Sequence, residues 1–177
     1  MFRDDGSRPL SDAGRQSLYA IKSWRLEGRI GVQTSADAWQ ANLLWDHDPA
    51  QDRLRISGPL SQGLVSIVVQ KDLIFINEGD GVAELSRTPE ASLRERLGFS
   101  VPLSSLRYWI MGVPDPERTY TSLPTGEPAM SGFQQAGWTI RIERRGAVGN
   151  WVLPQKMRAE GAGVKLKIVT DDWKIQG

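Results

Sequence analysis

Few residues in this 177-residue chain could do acid–base or metal chemistry. Its one histidine, His47, stands in the run DHDPAQD with Asp46, Asp48 and Asp52 around it. A histidine beside carboxylates is the raw material of a general base or a metal site, but both need partners at ligand spacing. There is no second histidine. There is also no cysteine, hence no thiolate nucleophile, cysteine metal site or disulfide. HExxH, GxSxG and phosphate-loop patterns are absent. Asp80, Asp171 and Asp172 read, like the aspartates near His47, as turn residues satisfied by water. A carboxylate pair assembled across the fold is the one catalytic route left open. The sequence therefore reads as a non-enzyme with no cofactor and no metal, and His47 as a solvated turn residue.

A different chemistry stands out between Leu54 and Ile76, where two β-rich runs flank a small polar loop, Gly58 to Gly63, that carries Pro59 and Leu60. Glycine and proline mark the turn, and Pro59 stiffens it. An apolar side chain at such a tip either folds back under its own hairpin or reaches outward to touch something apolar, and the residues alone leave both open.

Composition narrows the partners. Lys and Arg number 22 against 21 Asp and Glu, a net charge of +1, which gives no electrostatic footprint for nucleic acid. Hydrophobic residues make up 40% and include seven tryptophans, so large apolar surfaces are plentiful where titratable groups are scarce. The length suits one domain over residues 1–177, with 1–9 a flexible lead. No run is long enough for a transmembrane helix. MFRDDGSRPL lacks the pattern of a signal peptide, so the start fits a cytoplasmic protein or an exported one without its targeting segment.

Periodicity gives the elements. Leu10, Leu18, Tyr19 and Ile21 suggest an amphipathic helix within Pro9–Ser23, capped by Ser11. From Trp24 the period becomes two: Trp24, Leu26, Gly28, Ile30 and Val32 alternate with charged residues, and Trp39, Ala41, Leu43 and Trp45 repeat the pattern. Further strands are expected at 53–56, 65–69, 73–77 and 82–86. Thr88-Pro89 opens a short helix that Gly98 ends, and Pro102 to Gly112 forms a second. Short strands at 119–123 and 129–134 follow, then clearer ones at 138–143, 155–160, 164–168 and 173–175, with Arg144–Asn150 read as a turn. Eight to eleven short strands with one apolar face each point to an antiparallel sheet curled on itself, either packed solid or enclosing an apolar cavity.

In order and spacing, SGPLSQG (57–63), LRYWIMGVPDP (106–116), GW (137–138), LP (153–154) and a lysine-flanked strand before DDW (171–173) resemble the LolB family of outer-membrane lipoprotein receptors. LEGRI (26–30) and Trp45 also fit, and the resemblance covers roughly residues 15 to 175. It implies a mainly β fold: an unclosed antiparallel β-barrel with an N-terminal helix and two short helices covering a hydrophobic cavity. Members of the family accept acylated lipoproteins from the periplasmic carrier LolA and insert them into the inner leaflet of the outer membrane. The family's protruding loop leucine, needed for insertion, matches Leu60, which is then expected to be exposed beside Pro59. Candidate acyl-chain contacts are the inside-face residues Leu26, Ile30, Trp45, Ile56, Val65, Ile67, Leu106, Trp109, Ile110 and Trp138, with Arg107 near the mouth or on the surface. The resemblance places the protein, as a monomer, on the periplasmic face of the outer membrane. Family members are anchored through an acylated N-terminal cysteine; this sequence has none, which fits either a native unlipidated homologue or, as the Met1 start before a polar lead favours, a soluble version that omits the anchor. The rival expectation is a lipocalin-like binder of a free small hydrophobic molecule.

Overall fold

The computed structural model describes residues 12–58, 65–70, 73–77, 83–86, 94, 98–99, 101–124 and 131–176. A helix, α1 (Asp12–Tyr19), leads into a run of six strands: β1 (Ser23–Gln33), β2 (Ala38–His47), β3 (Asp52–Ser57), β4 (Val65–Gln70), β5 (Leu73–Asn77) and β6 (Ala83–Ser86). A second helix, α2 (Leu103–Trp109), separates these from β7 (Tyr120–Ser122), β8 (Ser131–Gln135), β9 (Trp138–Val148), β10 (Trp151–Gly161) and β11 (Val164–Gln176). Of the helix expected before Gly98, the described residues include Arg94, which is helical and accepts the Gly98 amide at 3.0 Å; the remainder, like the Ser11 cap, lies outside them.

All eleven strands form one antiparallel sheet in the order β6-β5-β4-β3-β2-β1-β11-β10-β9-β8-β7. Each half is a meander, the halves join where β1 pairs β11, and β6 and β7 are left as edges. The barrel is therefore unclosed, as expected. Alternation explains the strands: in β1, Trp24, Leu26, Ile30 and Val32 are buried while Arg25, Glu27 and Arg29 are exposed. Gly28 has a specific cause. A bulge shifts the register from Glu27 opposite Asp172 to Gly28 opposite Thr170, and a Cβ at Gly28 would run into the Val169 carbonyl oxygen.

Several turn assignments are corrected. Arg144 to Val148 continue β9 instead of turning, and the reversal is confined to Gly149 and Asn150. Leu153 and Pro154 lie within β10, where Pro154 sits at a register shift, the place a sheet interior tolerates proline. Asp171 and Asp172 belong to one continuous β11, Asp171 being the extra residue of its bulge. Asp46 and His47 close β2, and Asp52 opens β3 directly opposite His47.

Candidate functional site

The inner face of the sheet is apolar from strand to strand. Ile30, Leu43, Trp45, Leu54, Ile56, Ile67, Leu166 and Ile168 form a wall, and Phe99, Val101, Leu103 and Leu106 cover it from the segment that enters α2. Between wall and cover lies an apolar void of only about 30 Å³. A cavity that admits benzene is about 150 Å³, so this space is far too small for an acyl chain as it stands. Every described residue that lines the void is apolar.

Five of the expected contact residues, Ile30, Trp45, Ile56, Ile67 and Leu106, meet at this void. Leu26, Trp109, Ile110 and Trp138 are buried elsewhere in the same core, Trp109 packing on Trp138 with ring centroids 6.1 Å apart, and Val65 is half-buried. Leu43, Leu54, Leu166 and Ile168 were passed over although the alternation of β2, β3 and β11 places them on the same face. Phe99 and Val101 carry no periodic signal. Pro59 and Leu60 lie outside the described residues.

The far end of α2 is held quite differently. Ser105, fully buried, donates to Asp115 Oδ2 at 2.7 Å. Gln135 on β8 accepts from Trp109 Nε1 at 2.7 Å and from the Asp115 amide at 2.8 Å, and donates to the carbonyls of Asp115 and Arg118. Asp115 Oδ1 accepts the Glu117 amide. Gly112, at φ +82°, turns the chain out of the helix in a conformation that side chains resist. Tyr19 of α1 donates to the Pro114 carbonyl at 2.6 Å, and burial raises its phenol above the usual value of 10.0, opposed by the Arg15 charge. The run 106–116 is thus a polar clamp on β8. Arg107 is half-buried against Tyr108, its guanidinium carbon 4.9 Å from the ring centroid.

His47 and Asp52 also depart from expectation. Asp52 is buried, accepts from Trp45 Nε1 at 3.0 Å and lies 2.7 Å from His47 Nδ1. His47 stacks on Trp24, which itself packs on Trp45 and Trp173, so the two polar residues complete an aromatic cluster instead of a solvated turn. No cluster of metal-ligating side chains occurs among the described residues, and no described helix is long and apolar enough to cross a membrane.

The clamp and the apolar wall both fall within residues 22–173, which the family model "Outer membrane lipoprotein LolB" matches. The chain belongs to the LolB family. LolB proteins similar to it include "Outer-membrane lipoprotein LolB" of Cellvibrio japonicus, 28% identical over 94% of this chain and 85% of that one. The proteins of the same name from Nitrosococcus oceani (29% identical, 90% and 80% covered) and Pseudomonas aeruginosa (24%, 90% and 78%) are comparable. A LolA-superfamily protein from Nitrosomonas europaea shares the fold at a TM-score of 0.54, with 11% identity over 93% of this chain and 94% of that one. Membership in LolB, a family of outer-membrane lipoproteins, sets the chain apart from enzymes.

Proposed function

We propose that the chain receives acylated lipoproteins from a LolA-type carrier, shelters their acyl chains against the inner face of its sheet, and passes them into the inner leaflet of the outer membrane. The observation that supports this reading is the continuous apolar wall, met across the void by the apolar side chains of Phe99, Val101, Leu103 and Leu106. Lifting Phe99, Val101 and Leu103 exposes Ile30, Leu43, Trp45 and Ile67 together, a surface that acyl methylenes can replace at about 0.8 kcal/mol each. One ordinary acyl chain is then worth on the order of 10 kcal/mol before ordering costs, so it does not leave into water but moves between apolar environments. Direction needs only tighter binding than the carrier's, tenfold for each 1.4 kcal/mol, and no nucleotide.

In this reading Leu60, stiffened by Pro59, is the tip that enters the bilayer. Leu60→Glu puts a charge where hydrocarbon is required. Uptake of an acylated lipoprotein from the carrier should persist in this variant while delivery to liposomes falls at least tenfold. Delivery at the unaltered rate would reject the reading.

A further inference from the structure

The outer face of the sheet carries a feature that lipid shelter does not need. In one register row, Arg141 of β9 stands opposite Arg158 of β10, Arg158 opposite Lys167 of β11, Lys167 opposite Gly31 of β1, and Gly31 opposite Gln40 of β2. Arg141, Arg158 and Lys167 are exposed, and like charges directly opposed across strands destabilise a sheet. One row back, Glu143 pairs with both Lys156 and Arg158, and Arg29 pairs with Asp171 at 3.2 Å. Arg141, Lys165 and Lys167 have no ion-pair partner among the described residues, although Glu160 stands opposite Lys165.

Gly31 leaves a gap in this face. Two adjoining grooves, about 520 and 360 Å³, meet over it and share Gly31, Gln40 and Lys167. One bank carries Lys165, Lys167 and Arg158, the other Gln40 and Asn42, and among the described residues Glu160 is the one carboxylate that lines either groove. Cations facing amides suit a phosphodiester, which needs charge neutralised and oxygens hydrogen-bonded. Position adds a second argument. β3 ends at Ser57 opposite Asn42, so its C-terminal end lies at the end of the sheet that carries Gln40 and the cationic row.

We propose that this row is the protein's contact with an anionic lipid surface. Arg141, Lys165 and Lys167 engage headgroup phosphates, Gln40 and Asn42 hydrogen-bond them across the groove, and the sheet end at which β3 stops is thereby turned to the bilayer. The orientation, but not the phosphate contact, rests on the reading of Leu60 given above.

The test is cosedimentation with phosphatidylcholine vesicles with and without phosphatidylglycerol, over a range of salt. The unaltered protein should bind the anionic vesicles more tightly, and less so as salt rises. Lys165→Glu with Lys167→Glu should weaken that binding about tenfold or more. Gly31→Asp should act in the same direction without loss of melting temperature, because a Cβ there would lie 3.9 Å from Gln40 and Lys167 carbons, an ordinary contact. Lys174→Glu, toward the opposite end of β11, should change little. The proposal is overturned if phosphatidylglycerol makes no difference, or if Lys174→Glu costs as much as the pair. It is equally overturned if the paired variant keeps vesicle binding and loses only capture of an acidic protein. Leu60→Glu separates the two readings: lost delivery with salt-dependent binding retained supports both, whereas retained delivery with that binding intact rejects only the insertion role.

Discussion

The two ends of the 99–115 segment are held by different physics. From Ser105 to Asp115 the chain is fixed by short, directional hydrogen bonds to Gln135 and within its own turn, all in buried surroundings. From Phe99 to Leu103 the same segment lies on the wall through apolar contact, over a void of about 30 Å³. Buried hydrogen bonds fail all at once when a partner is lost, whereas apolar contacts slide and re-form with little geometric demand. The two ends are therefore constrained differently, by directional polar bonds around Trp109 and Asp115 and by apolar packing where Phe99, Val101, Leu103 and Leu106 line the void.

The comparison is broken most severely by Gln135→Leu. It leaves the Trp109 indole N–H, the Asp115 amide and two carbonyls without their partner, and should cost about 3 kcal/mol or more in urea unfolding. A loss under about 1 kcal/mol would mean the clamp is not what holds α2. Val101→Ala sharpens the contrast from the other side: stability should fall by only about 1.5 kcal/mol while uptake of an apolar fluorescent probe rises severalfold, since the apolar hold of cover on wall weakens and no polar partner is orphaned. The smallest effect concerns Tyr19. Its phenol is raised in the folded protein, chiefly by burial, so the stability it contributes is complete below pH 10 and is lost as pH climbs through the higher folded value. Thermal unfolding of the protein and of Tyr19→Phe should therefore converge differently above pH 10, with the phenylalanine variant lacking this part of the alkaline decline.

Much of the fold is legible in the chain because its signals are local. Alternation in 24–32, 39–45 and 138–142 reports one buried face residue by residue, and Pro102 and Gly112 bound α2 by chemistry that acts within a turn. The misread places are those where a distant partner overrides the local cue. Arg144 to Val148 look like a loop, yet β10 pairs with them and buries Arg145. Asp52 looks solvated, yet the Trp45 indole seven residues earlier gives it a donor inside the core. Gln135 has no sequence signature at all, because its importance arises from Trp109 and Asp115 being brought to it by the turn at Gly112. The wall residues could be counted from the pattern, but the size of the void depends on how the cover settles, which no pattern of alternation encodes.

The pairing of β1 with β11 has a consequence for how the sheet assembles. β11, thirteen residues long, occupies the middle of the sheet and supplies neighbours to both β1 and β10. Until those two pairings form, each meander keeps an open inner edge, a template for unwanted strand addition. The join is made between segments far apart in sequence, the kind of contact that forms slowly, so the centre of this sheet is its late and vulnerable seam.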